Sequence, residues 1–443
     1  MLNRMNYNEN LKEITNMLNR RKESINKDVT DKVVEILEDI KENGDVAVRK
    51  YVEKFDGYKI ARMEDIVVSK SEIDEGVKRV GDNFIRILKR AKKQIEEFHK
   101  NQIERSWNIF KENGVIMGQI VRPIERVAVY VPGGTACYPS TVMMNVIPAK
   151  LAGVKEIIML TPVKSDGKVS DVILAAATIC GVDKIYKIGG AQAIGAAAYG
   201  TEFIPKVDKI VGPGNIYVAT AKKCCYGIVG IDMIAGPSEV LVIADEKANS
   251  KYVAADLMSQ AEHDKLSSSI LITNDENLVD KVNCEIKEQI KRLTRKEIIE
   301  YSMENFGTAI IVKDIDDAFE IANEIAPEHL EVLTEDPFVK LSKIKNAGSI
   351  FLGENAPEPL GDYMSGTNHV LPTSGTAKFY SGLGVYDFVK YSSYSYYPKE
   401  VLKMFKEDVI EFAKLEGLDA HSNSIKVRFE EDRWWNPILV KWN

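Results

Sequence analysis

Glu328 and His329 stand side by side in Ala326-Pro-Glu-His-Leu330, where an apolar alternation of Leu330 and Val332 begins. Imidazole moves protons at neutral pH and a carboxylate beside it can activate water, so the pair suffices for general acid and base chemistry. An exposed Glu-His pair on a wet surface would look the same. Histidine is scarce, however, with five in 443 residues. Four occupy dense polar surroundings: His263 in Ser259-Gln-Ala-Glu-His-Asp264, His329, His369 in Gly361-Asp-Tyr-Met-Ser-Gly-Thr-Asn-His369, and His421 in Glu416-Gly-Leu-Asp-Ala-His421. His99, in Glu96-Glu-Phe-His-Lys100, reads as an ordinary helix-surface residue.

Gln260 and His263 are three apart in a helical stretch, which puts both on one face. Asp362 follows Gly361 in a loop just after an apolar run. Imidazole, carboxylate and, less commonly, amide oxygen bind zinc at about 2.0 to 2.2 Å. Taken singly, these residues read better as a polar helix end, a turn aspartate and a surface histidine. Taken together, Gln260, His263, Asp362 and His421 fit a four-ligand site for a borderline metal, zinc first and manganese or cobalt next. Gly189-Gly-Ala-Gln-Ala-Ile-Gly195 and Gly212-Pro-Gly-Asn215 are glycine turns after apolar runs, suited to an anionic ligand at a helix N-terminus or simply to tight turns. Neither has the G-x-G-x-x-G spacing of a dinucleotide fingerprint. The five cysteines show no CxxC pair, so neither a disulfide framework nor a thiolate metal site is indicated. Cys137 is the one candidate nucleophile, and it has no histidine near it in sequence.

The elements that must position these groups alternate. Val127–Val131, Ile157–Leu160, Ile185–Ile188 and Ile210–Val211 are short apolar runs ended by glycine or proline turns, with Ala-rich helical stretches such as 170–180 and 192–199 between them. A second series, 240–243, 269–273, 308–312, 329–333 and 349–352, is separated by helical stretches at 252–263 and 314–325. Strand, turn and helix in repetition predict an α/β fold of two Rossmann-like parallel-sheet domains with a cleft between them, ligands sitting at the carboxyl ends of the strands. The expected division is an N-terminal arm (1–24), a discontinuous first α/β domain with a helical start (25–126 and 240–388), a second α/β domain (127–239) and a C-terminal segment (389–443). Residues 398–415 read as one helix in that last segment. Lys plus Arg number 59 against Asp plus Glu 66, a net charge of −7, and no long basic block occurs. This disfavours nucleic-acid and anionic-membrane binding. No apolar run approaches a membrane span and the N-terminus lacks a signal-peptide core, so the expected address is the cytoplasm.

Tyr130-Val-Pro-Gly-Gly134, Gly189-Gly-Ala-Gln192, Val211-Gly-Pro-Gly-Asn215, Ala235-Gly-Pro-Ser-Glu239, Leu257-Met-Ser-Gln-Ala-Glu-His263, Pro327-Glu-His-Leu330 and Ser365-Gly-Thr-Asn-His-Val-Leu-Pro-Thr373 closely resemble the histidinol dehydrogenase family, in order from about residue 25 to about 428. The resemblance implies NAD-dependent oxidation of L-histidinol through the aldehyde to L-histidine, the last step of histidine biosynthesis. A paralogue acting on another small polar alcohol is the alternative. It further implies one zinc per subunit on Gln260, His263, Asp362 and His421; NAD on Tyr130, Gln192 and Asn215; and Glu328 and His329 as the catalytic pair. Substrate contacts would come from Ser238, His369 and Glu416, with Gln260, His263, His329, Asp362 and His421 also facing the substrate. The partner chain of a homodimer would donate His421 and Glu416, making 389–443 a dimerisation segment and 127–239 the NAD-binding domain. The Trp-rich tail, Trp434 to Trp442, runs past the expected end of the family pattern.

Overall fold

The computed structural model describes residues 1–6, 27–133, 137–234 and 236–430. The chain divides into two compact units, residues 1–103 with 123–389, and residues 104–122 with those from 390 on.

The first unit is built on two parallel sheets. One runs, in spatial order, Asn3–Asn6, Gly307–Ile311, Ser268–Thr273, Glu239–Ala244, His329–Leu333 and Ser349–Leu352. The other orders Lys184–Lys187, Glu156–Thr161, Arg126–Tyr130, Lys209–Val211 and Gly230–Ile231. Parallel strands are covered on both faces and so read as unbroken apolar runs, and Glu239–Ala244 is buried along its whole length. The α/β class with two parallel sheets, expected from those runs, is the architecture found.

Helix Lys27–Asn43 buries Val33, Ile36, Leu37 and Ile40, spaced to share one face, and ends before Gly44 at φ 52°. That stripe shares a core with Ala128, Ile158 and Ile194, whereas Leu88, Ala91 and Ile95 of helix Asp82–His99 join Val129, Met144 and Ile157. The helical start therefore packs on both faces of the five-stranded sheet, not on the six-stranded sheet with which sequence order grouped it. Successive strand residues alternate between two cores, and the amphipathic helices just before the first strand contribute to both.

Residues 1–6 of the expected arm are described, and Asn3–Asn6 extend the six-stranded sheet along Gly307–Ile311. A mostly exposed strand of three polar residues and Met5 carries no apolar alternation to announce it. His99 departs from its surface reading, being fully buried. Its Nδ1 donates to the Ile95 carbonyl at 2.9 Å, and the Asn368 amide faces Nε2 at 3.4 Å. Covering by a segment 269 residues away is invisible in the charged local context.

In the second unit, Trp107–Phe110 and Ile116–Pro123 form an antiparallel pair, with Val389–Tyr396 as third strand on Ile116–Pro123. Helices Lys399–Met404, Lys406–Leu415 and Asp419–Lys426 follow; the single helix expected over 398–415 breaks at Phe405. The Trp-rich tail lies outside the described residues. No described helix is long and apolar enough to cross a membrane.

Candidate active site

Helix Ile315–Ile325 ends at Ala326, held left-handed at φ 52°, and Pro327 follows, so the next strand starts only at His329. Neighbours on a regular strand face opposite ways. The irregular entrance expected from Pro327 leaves Glu328 outside the strand, and both side chains line one cavity. The Glu239 peptide orients them: its N–H donates to Glu328 Oε2 at 2.9 Å, and its carbonyl accepts from His329 Nδ1 at 2.9 Å. A carbonyl can only accept, so the ring proton sits on Nδ1 and Nε2 is the basic atom. That Nε2 is buried with no hydrogen-bond partner. Burial pushes His329 down to about 4, so the ring is neutral at pH 7. Burial raises Glu328 well above the usual carboxylate range.

The cavity has a volume of about 820 Å³, ample for a small polar ligand together with part of a dinucleotide. Gln260, His263, Glu358, Asp362, His369 and Ser238 line it, and so do Pro213, Gly214 and Asn215. The five-stranded sheet obeys the carboxyl-end rule, since Asn215 follows strand Lys209–Val211. The six-stranded sheet does not: Ser238, Glu239 and His329 stand at the amino ends of their strands. The connection between the two sheets is the reason. The chain leaves the carboxyl end of Gly230–Ile231 and, after residues 232–238, enters the amino end of Glu239–Ala244. Opposite kinds of sheet edge therefore face the same cavity.

Gln260 occupies the last turn of helix Ser250–Ala261, 1% exposed, with both amide atoms lacking partners. His263 lies beyond the helix rather than in it, in a turn closed by its N–H on the Gln260 carbonyl at 3.1 Å. Asp362 belongs to the short helix Glu358–Tyr363 and not to a loop. A Cβ on the preceding Gly361 would collide with the Phe351 ring, which stacks on His329 with centroids 6.1 Å apart. Glycine is what lets this helix approach the His329 imidazole.

The sequence reading passed over Glu358. It is 2% exposed; its N–H donates to Glu331 Oε1 at 2.8 Å and its Oε2 accepts from Ser259 Oγ at 3.2 Å. Its Oε1 has no hydrogen-bond partner and stands 3.9 Å from His329 Nε2. Burial, and then the charge of Asp362, push Glu358 up to about 9. The available signal was its spacing four residues before Asp362, which puts two carboxylates on one helical face. Ligand atoms of His329, Glu358 and Asp362 lie within 4.8 Å of one another. This set shares only Asp362 with the ligands expected from the resemblance. A buried, unpartnered amide beside clustered carboxylates fits a divalent cation, because such groups are costly to bury uncompensated.

Tyr130 and Gln192 are buried, 3% and 1% exposed, and do not line this cavity; of the three expected NAD contacts only Asn215 does. They flank the Gly189-Gly190 turn, where Tyr130 Oη accepts from Gly190 N–H at 3.1 Å and Asp56 Oδ2 from Gly189 N–H at 3.3 Å. Asn215 caps helix Ile216–Cys225, its Oδ1 accepting from Tyr217 and Val218 N–H at 3.0 and 3.2 Å. Glu416 and His421 belong to the second unit, and both are exposed in the single chain. Cys137 is exposed.

Burial raises Asp56 from 3.8 to about 6. The folded state then holds this proton more tightly than the unfolded chain, so between those values stability falls as pH rises. Asp56→Asn is therefore expected to stabilise the protein at pH 8 by on the order of 2 kcal/mol, the gain vanishing below pH 4. Denaturant melts across that range check it.

The model of the family described as Histidinol dehydrogenase matches residues 19–429. The chain belongs to the histidinol dehydrogenase family. The histidinol dehydrogenase of Lactococcus lactis is 64% identical over 431 residues, 97% of this chain and 100% of that one. That of Clostridium acetobutylicum is 57% identical, covering 93% of this chain and 95% of its own. A crystal structure of histidinol dehydrogenase from Elizabethkingia anophelis superposes with a TM-score of 0.87 at 41% identity, over 91% of this chain and 93% of that one. The chain is thus an oxidoreductase of the histidinol dehydrogenase family, in agreement with the motif resemblance, and the family match stops short of residues 431–443.

Proposed function

We propose that this chain, in the cytoplasm, oxidises L-histidinol through L-histidinaldehyde to L-histidine with two molecules of NAD, completing histidine biosynthesis. The observation that carries the reading is the free Nε2 of a neutral, backbone-oriented His329 facing a cavity that also holds Glu328 and an unpartnered Gln260. Gln260, His263, Asp362 and His421 of the partner subunit would hold one zinc per subunit, whose contribution would be to fix the position of the substrate. NAD on Tyr130, Gln192 and Asn215 would take up the two hydrides in turn. Ser238, His369 and the partner subunit's Glu416 complete the grip on the substrate.

His329 Nε2 accepts the hydroxyl proton as hydride leaves the carbinol carbon, while Nδ1–H on the Glu239 carbonyl keeps the ring turned to the substrate. Glu328 takes a proton from the water that adds to the aldehyde. Its Oε2 is held in place by the Glu239 N–H at 2.9 Å. His329, having released its first proton, then accepts one from the hydrate hydroxyl as the second hydride departs. Glu328→Gln is expected to slow the second oxidation about a hundredfold and the first much less. Rates measured separately from histidinol and histidinaldehyde would show it, and equal losses would count against the role with water.

The whole reading is tested by incubating the enzyme with L-histidinol and NAD. Two NADH per histidinol, histidine as product, loss on chelation and recovery with zinc are expected. NADH formed from other small alcohols but not from histidinol would replace the substrate, and indifference to the chelator would remove the metal.

A further inference from the structure

We propose that Lys222 and Asp232 are positioning residues for the dinucleotide, a buried ion pair that holds the Gly212–Asn215 loop in its binding shape. The proposal rests on the NAD reading above. Lys222, on helix Ile216–Cys225, is 2% exposed, and Asp232, just after strand Gly230–Ile231, is 7% exposed. They pair directly with each other, and each also takes one polar group of Gly212. Lys222 Nζ donates to the Gly212 carbonyl at 3.0 Å, and Asp232 Oδ2 accepts from Gly212 N–H at 2.7 Å. Gly212 needs this double hold: its φ is +108°, and a Cβ there would collide with the Tyr130 carbonyl. The next residues, Pro213, Gly214 and Asn215, line the cavity.

Stability alone does not call for these charges, since a well-packed apolar pair commonly replaces a buried ion pair without loss. What an apolar pair cannot do is bond both polar groups of a peptide in an unusual conformation. The charges do not line the cavity, so they act through the loop and not on the ligand.

The test compares the metal-loaded, full-length parent with Lys222→Met/Asp232→Leu, which removes both charges together. Expected are a KM for NAD raised at least tenfold, kcat within threefold, KM for L-histidinol within twofold and a matching loss of NADH affinity by fluorescence titration. An unchanged KM for NAD, or a KM for histidinol rising in step with it, overturns the proposal. Should the double variant not fold, Lys222→Arg decides. It keeps the charge but cannot seat its planar head on the Gly212 carbonyl in the same way, so at least a threefold rise confined to the KM for NAD is expected, and none overturns the proposal. A parent that binds no NADH overturns the cofactor reading and this proposal together, whereas equal binding by parent and variant overturns this proposal alone.

Discussion

His329→Ala is expected to lower kcat for L-histidinol about a thousandfold, the middle of the range for losing a general base. Both half-reactions use the same Nε2, so neither can be spared, and oxidation of histidinaldehyde should fall with that of histidinol. NADH affinity should stay within a few-fold, because the imidazole lines the cavity beside Glu328 and Glu358 and lies outside the expected dinucleotide contacts. The same variant separates two possible ligand sets. If the ion sits on Gln260, His263 and Asp362, the zinc-to-protein ratio is unchanged; if it sits on His329, Glu358 and Asp362, whose ligand atoms lie within 4.8 Å, zinc is lost. Stopped-flow absorbance at the NADH band and metal analysis give the two answers on one preparation.

Mixed dimers supply the second large effect. His329→Ala and His421→Ala homodimers should each be nearly inactive, the first for want of a base and the second for want of a ligand. In a heterodimer of the two chains, an imidazole donated across the interface leaves one site with both lesions and the other with none. About half the parental activity per dimer should then return, as the two-fold arrangement requires. If His421 served its own chain, each site would keep one lesion and no activity would return. Differently tagged chains, refolded together and purified through both tags, allow the count.

How far the sequence carried this structure depended on whether each residue left a local trace. Strands such as Glu239–Ala244 are buried on both faces and announce themselves as apolar runs. Glu328 and His329 were legible with their geometry, because Pro327 interrupts the strand pattern at the point where two neighbours must face one way. Gln260 was legible as a polar residue closing an apolar helix. Trp107–Phe110 is wholly exposed and Val389–Tyr396 nearly so; with little buried face, no period of two is imposed on either. The burial of His99 and the approach of amino strand ends to the cavity arise from chain crossings that no short window contains. Glu358 was missed because a carboxylate between two prolines, Pro357 and Pro359, looks like a turn. Only its pairing with Glu331 and Ser259 reveals it as a buried member of the site.

On the proposed mechanism, the cavity at the facing sheet edges gathers a base, a water-activating carboxylate and a metal around one substrate. The most direct test is a crystal structure of the dimer with L-histidinol, located by zinc anomalous scattering. The ion is predicted on Gln260, His263, Asp362 and His421 of the partner subunit, with the substrate hydroxyl about 3 Å from His329 Nε2. An ion bound by His329 itself, or a hydroxyl pointing away from that nitrogen, would rule out His329 as the base.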